Sequence, residues 1–389
     1  MPRKYAPLIA ALLALALTPG VMAQDAYVVG LSGALTGPQA GTYAPVMESF
    51  KLYVDQLNKR GGVNGKPVRL VVQDNQGEPS KAAADAKKFI SQDSAILIVN
   101  ASVSSTYAPM AAEAKRGGVP LLYTVVCPAA VFPPKPDELQ FCSAAGSANY
   151  DSQYAVQFIK EQSRDPVRLG LAAMAIPVSR GGIDHAEEVA KSLGMTVVDK
   201  QIIPPPTPDY TPYATKLKSA EPNWVYSWAP WVTQVKTLEA LRKLGWNGKF
   251  LAYAVPPTED DVVRLKDGEL YAVSGGAFFH DNLPVHKEIR EAAGKANLPS
   301  PVTQLSEGWI AGMVLEQALK NTSWPPSAEK VLAAMNDLRV DTKGLRGGPI
   351  EWTKTNHFRT KQYYRSYRWD SAKQTIVPAK AGWAMVEIK

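Results

Sequence analysis

The densest group of chemically useful side chains is Ser102, Ser104, Ser105 and Thr106, four hydroxyls within five positions. They follow an apolar, β-branched run at 95–99 that ends at Asn100, and they lie where helical periodicity resumes. A helix start offers unpaired N–H groups and partial positive charge, and hydroxyls beside it add hydrogen bonds, which together suit a carboxylate. The same residues could equally cap their own helix. Covalent chemistry has less to draw on. His185, His280, His286 and His357 are scattered, without H-E-x-x-H spacing. No G-x-S-x-G elbow or Walker loop occurs, and GLSGALTG at 30–37 lacks the acidic residue and helix of a dinucleotide fingerprint. Asp184 and His185 stand on a helix with no matching nucleophile. The pattern is that of a binder rather than an enzyme, with no cofactor or metal expected.

Elements must position those hydroxyls. Residues 68–73 and 95–99 read as interior strands, and 80–92 between them sets Ala82, Ala83, Ala86, Phe89 and Ile90 at helical spacing after Pro79 and Ser80. This is a βαβ unit, whose crossover is right-handed and whose ligands collect at the carboxyl ends of the strands. Further strands are expected at 168–173, 195–203, 224–228 and 250–253, and apolar helices at 306–319 and 328–335. The tail from 362 alternates as antiparallel strands do.

Residues 1–23 have Arg3 and Lys4, an apolar run at 8–17 and Val21-Met22-Ala23, the pattern of a secretory signal peptide cleaved after Ala23. No Cys stands at the cleavage point to carry a lipid. Of 389 residues, 46% are hydrophobic, enough for two domains. The formal charge of +7 falls by two, to +5, when Arg3 and Lys4 leave, and it is interspersed with acids as on 236–243, so no nucleic-acid stripe is present. Cys127 and Cys142 flank a Pro-rich loop in an exported chain, and we expect a disulfide that staples it, contributing roughly 3 kcal/mol by loop-closure arithmetic.

The order GGVNG, strand, QDNQGEPSKA, helix, strand, SVSST and GGVPLL resembles the type I periplasmic solute-binding proteins of ABC importers, in their leucine/isoleucine/valine-binding branch. The opening VVGLSGALTGPQAGTYAPVMESFKLYVDQLNKRGG and the later WNGKFLAYAV fit the same pattern. The resemblance implies an α/β fold of two Rossmann-like lobes with parallel sheets, joined by a three-crossing hinge that closes on ligand. The lobes would comprise 24–145 with 276–362, and 146–275 with 363–389, crossing near Gly146, 274–276 and 363–366. It also implies a small-molecule carboxylate ligand, a membrane permease as partner, a periplasmic location and a monomer.

In the amino-acid binders of that family a Ser and a Thr of the first lobe hold the carboxylate, and an acid at the end of the strand matching 250–253 pairs with the ammonium. This chain has Tyr253-Ala254-Val255 there and no acid before Glu259. The Thr position falls near Cys127 and Pro128, and the family's disulfide lies earlier in the chain, so the cleft rim is reshaped. A buried ammonium without a carboxylate costs several kcal/mol, which disfavours a free amino acid. Gained instead are rings and a guanidinium. Trp228 and Trp231 lie where the family presents a ligand-facing Tyr, Arg180 falls near another such Tyr, and Tyr253 and Phe278 could add walls. Tyr43 belongs to the loop that lines the cleft in relatives, and Tyr150 to the first crossing. Ser102, Val103, Ser104 and Val126 complete the set. Together they imply an aromatic carboxylate such as a benzoate or phenylpropenoid acid. The alternatives are a branched-chain amino acid and a ligand-sensing receptor subunit.

Overall fold

The computed structural model describes residues 26–388, so the expected signal peptide lies outside the described residues. The first sheet is wholly parallel, in the order β2-β1-β3-β4-β5. Its strands are β1 (Tyr27–Gly33), β2 (Val68–Asp74), β3 (Leu97–Ala101), β4 (Leu121–Tyr123) and β5 (Gln140–Cys142). Helices α1 (Ala40–Lys59), α2 (Pro79–Ser91) and α3 (Tyr107–Gly117) connect the first four strands. Every residue of β1 and β3 is buried, as central strands covered on both faces must be. The three-residue β5 is too short to leave an alternating pattern in the sequence.

The chain then builds a second sheet. Helices α4 (Asn149–Gln162), α5 (Pro177–Ser192), α6 (Thr211–Ser219), α7 (Trp231–Lys243) and α8 (Thr258–Leu265) alternate with five strands. These are β6 (Arg168–Met174), β7 (Thr196–Ile203), β8 (Trp224–Ser227), β9 (Lys249–Tyr253) and β10 (Leu270–Ser274). The chain next returns to the first lobe with α9 (Pro284–Ala296), α10 (Ser306–Lys320), α11 (Ala328–Met335) and a hairpin-like pair, β11 (Leu338–Val340) and β12 (Ile350–Trp352). Finally β13 (Lys361–Asp370) and β14 (Thr375–Glu387) add antiparallel strands to the second sheet, which runs β14-β13-β10-β9-β8-β6-β7.

The two sheets are tied where the crossings meet. A Cβ added at Gly275 would come 2.8 Å from the Cβ of Ala145, so the first two crossings lie against each other. The Gln362 amide donates to the Ala145 carbonyl at 2.9 Å, which brings in the third. That third crossing is a ribbon, because residues 361–364 pair only with β14 and pairing to β10 begins at Arg365.

Helix α10 reaches α1 by close approach. A Cβ at Gly308 would stand 2.2 Å from the Val46 carbonyl, and one at Gly312 would stand 2.3 Å from the Tyr53 ring. Gly41, on the exposed side of α1, has nothing within 4 Å of such a Cβ. Gly312→Ala should therefore destabilise by about 1–3 kcal/mol through overpacking. Gly41→Ala should stabilise by roughly 0.5–1 kcal/mol through helix propensity. Urea unfolding of the two variants checks the contrast, and equal effects would contradict the packing described.

Candidate functional site

The carboxyl ends of both sheets face one cleft, and four hydrogen bonds close it. Ser104 Oγ, at the start of a 3-10 turn before α3, accepts the Val178 N–H of α5 at 3.2 Å. Thr42 Oγ1 of α1 accepts the Trp231 N–H of α7 at 3.2 Å. At the other end Thr303 Oγ1 and Gln304 Nε2 each donate to the Asp260 carboxylate at 2.6 Å. Each bond joins the two lobes, and in the first two the hydroxyl accepts, which leaves its own proton to donate.

Inside lies an aromatic compartment of about 340 Å³ including its mouth. Tyr43, Tyr107, Trp228 and Tyr253 wall it, with Val126, Ile176 and Val178 between them. Among the described residues no charged side chain lines it. Burial pushes the phenols of Tyr43, Tyr107 and Tyr253 well above the usual phenol range, so these rings present neutral hydroxyls. The polar groups that line it are the hydroxyls of Thr42, Ser104 and Ser179 with those tyrosines, and the buried Ser179 Oγ has no partner among the described residues.

Trp228 is held from behind. Its indole N–H donates to Asp151 at 3.1 Å, and its ring stacks on Tyr253 with centroids 5.6 Å apart. Asp151 is fully buried and also accepts from the Ser147 N–H and hydroxyl, both at 2.7 Å, and from the Tyr364 hydroxyl at 2.8 Å. Burial raises its carboxyl to about 6 in spite of these four donors.

A second, polar compartment adjoins the first on the hinge side and shares Val125, Tyr253 and Val255 with it. It measures about 560 Å³ with its mouth and is lined by Glu259, Ser274, Phe278, Ser306, Glu307 and Arg346 among others. The Arg346 Nη2 donates to Glu307 at 2.6 Å. Glu259 accepts the N–H groups of Phe279 at 2.7 Å and His280 at 2.8 Å, yet burial pushes its carboxyl up to about 7. Burial and the neighbouring Arg346 pull the Arg359 guanidinium down to about 9.

Of the residues expected from sequence, Tyr43, Ser104, Val126, Trp228 and Tyr253 meet in the aromatic compartment, and Phe278 lines the polar one, stacked on Tyr367 at 4.0 Å. The rest lie elsewhere. Arg180 is exposed on α5 and lines neither compartment, because the helix turns its Ser179 neighbour inward instead. Ser102 is buried and donates to Asn75 at 2.8 Å, inside the first lobe. Val103 packs toward Gly77, and Tyr150 sets its ring against Phe132 by the stapled loop. Trp231 lines a separate rim pocket and donates its indole N–H to Asp261. Cys127 and Cys142 form the expected disulfide, 15 positions apart.

The expectation of a cleft without acids also needs correction, since Glu259 and Glu307 both border the far side of Tyr253. Sequence reasoning missed Thr42, Tyr107, Ser179, Asp151, Glu307 and Arg346. Thr42 and Ser179 are chain neighbours of Tyr43 and Arg180, so their signal was one position away. Arg346, within GLRGG, had none beyond its turn residues.

Comparison with known proteins agrees with this architecture. The family described as periplasmic binding protein matches residues 26–374. The chain is 23% identical to a Leu/Ile/Val-binding protein of Rhizobium johnstonii over 89% of its own length and 92% of the relative's. Its fold is similar to a valine-bound branched-chain amino acid ABC transporter protein of Thermus thermophilus, with a TM-score of 0.79, 16% identity and 92% and 96% of the two chains covered. It is similar also to an R. palustris solute-binding protein in complex with 4-hydroxybenzoate, with a TM-score of 0.77, 15% identity and 94% and 98% covered.

The raised carboxyl of Glu259 carries a pH signature. In the unfolded chain a Glu titrates near its ordinary value, so the stability this group contributes is fully present below about 4.5 and is lost as pH rises through about 7. His286, drawn down to about 4 by burial, acts oppositely, losing stability as pH falls below its ordinary value of 6.5. The whole-protein profile mixes the two, and the difference between variants separates them. Relative to wild type, Glu259→Gln should gain on the order of 1–3 kcal/mol between pH 4.5 and 7.5. Paired denaturant melts at the two pH values measure this, and a pH-independent difference would refute it.

Proposed function

Because the chain belongs to the periplasmic binding protein family, we propose that it captures a small aromatic carboxylate, such as a benzoate or phenylpropenoid acid, in its interlobe cleft. It is then a solute-binding protein rather than an enzyme, and the family implies the periplasm as its location. In this reading it acts as a monomer and hands its ligand to the membrane permease of an ABC importer. The moving bodies are 24–145 with 276–362, and 146–275 with 363–389, and closure of the hinge traps the solute.

One observation carries the ligand class: the aromatic compartment has four ring walls and several hydroxyls but, among the described residues, no charged side chain. A flat ring between Tyr43, Trp228 and Tyr253 gains about 0.5–1.5 kcal/mol per ring contact beyond the area it buries. Hydroxyls of Thr42, Ser104 and Ser179 can donate to a carboxylate. An ammonium inside this compartment has no ion partner, at a cost of several kcal/mol. An R. palustris protein of the same fold is described with 4-hydroxybenzoate, which supports the reading by analogy only.

A second reading is an aromatic α-amino acid, and the observation favouring it is the pair Glu259 and Glu307 beyond Tyr253, where an ammonium would find a carboxylate. Isothermal titration separates the two. Benzoate, 4-hydroxybenzoate and cinnamate should give saturable heat and leucine none, and Trp228→Leu should weaken the aromatic acids about 5- to 10-fold. Leucine binding with silent aromatic acids refutes the proposal. Phenylalanine binding far more tightly than benzoate selects the second reading.

A further inference from the structure

Four polar atoms without a hydrogen-bond partner among the described residues belong to side chains that line the hinge-side compartment: Arg346 Nε and Nη1, Ser306 Oγ and Tyr253 Oη. Buried polar atoms are nearly always paired, and one is an isolated anomaly. Fifteen such atoms occur among the described residues, and four of them belong to side chains lining this single cavity, where an acceptor would pair them. Two of the four are guanidinium N–H donors and two are hydroxyls, the Tyr253 phenol being held neutral by burial, so all four can donate and the counterpart that suits them is an acceptor oxygen.

Arg346 decides which acceptor. It is 4% exposed, and of its three nitrogens only Nη2 is used, by Glu307 at 2.6 Å. A guanidinium presents five N–H donors in a planar fork, which matches a carboxylate better than any neutral group. Besides Arg346 and Glu307, the charged side chain lining this space is Glu259, which accepts two backbone N–H groups; Arg359 donates to Gln362 and the Ala144 carbonyl and does not line it. One guanidinium thus lines the space with two carboxyl groups, of which Glu307 is committed to Arg346 and Glu259 to main-chain donors.

We propose that the hinge-side compartment is a carboxylate-binding extension of the aromatic one, with Arg346 as its anion-binding residue. The solute is then two-ended, a ring with acidic oxygens at opposite ends, one met by the hydroxyls of Thr42, Ser104 and Ser179 and the other by Arg346. This rests on the aromatic-carboxylate reading for the ring but not for the anion. Because Arg346 Nη1 lies 2.7 Å from where a Cβ of Gly276 would be, the second end would also touch the hinge, so a two-ended solute would reward closure that a one-ended solute does not.

The test uses Arg346→Met combined with Glu307→Gln, so that no carboxylate is left unpaired, and titrates benzoate against benzene-1,4-dicarboxylate. Wild type should prefer the diacid, and the double variant should lose about 10- to 100-fold on the diacid while changing less than about 3-fold on benzoate. Equal losses on both acids, or no loss on either, overturn the proposal. Should the double variant not fold, Arg346→Lys keeps the charge without the fork and must show the same selective loss, uniform loss again being fatal. If no aromatic acid binds wild type, the ring reading has failed and the anion site is judged alone. Millimolar acetate should then raise the melting temperature of wild type but not of the double variant, and identical responses overturn it.

Discussion

The carboxylate of Asp151 is the constraint on which the cleft depends. It is fully buried, and it survives there because four donors converge on it, from Ser147 twice, Tyr364 and Trp228. Those residues belong to the first crossing, to the ribbon of the third crossing, and to the end of β8. One buried group therefore fixes two crossing segments and the Trp228 ring that walls the aromatic compartment. A buried charge is stable only while its partners stay in place, so hinge geometry and ring orientation cannot drift independently.

Glycine serves the same end elsewhere. Where crossings touch at Gly275 and Ala145, and where α10 meets α1 at Gly308 and Gly312, the absence of a Cβ lets main chain lie against its neighbour. The bonds that close the cleft are few, exchangeable and placed at its two ends, Ser104 and Thr42 at one and Asp260 at the other. Such bonds contribute about 1 kcal/mol each.

Much of this was legible in the chain. Continuous apolar runs identified the parallel strands, and the apolar spacing of 306–319 gave a helix seen at Ser306–Lys320. Helices α8 and α9 leave little trace in the sequence, because their apolar faces are short and interrupted by charge or proline. Strand ends located Ser104, Trp228 and Tyr253, since a strand's carboxyl end points into the cleft, whereas Tyr43 came from the resemblance, which implied a loop, and stands on α1. Arg180 failed for a rotational reason. One residue along a helix turns the side chain by about 100°, so Ser179 faces in and Arg180 faces water.

By itself, then, the sequence determined the fold class, the pairing of Cys127 with Cys142 and the lack of any acid on the strand end at Tyr253. These are properties of local pattern, spacing and residue type. Tertiary structure alone decided that Glu259, Glu307 and Arg346 gather on the other side of that tyrosine, from segments separated by up to 87 positions between Glu259 and Arg346. No periodicity encodes such a meeting, because it depends on where α8, α10 and the loop before β12 come to rest once the hinge has brought the two sheets together.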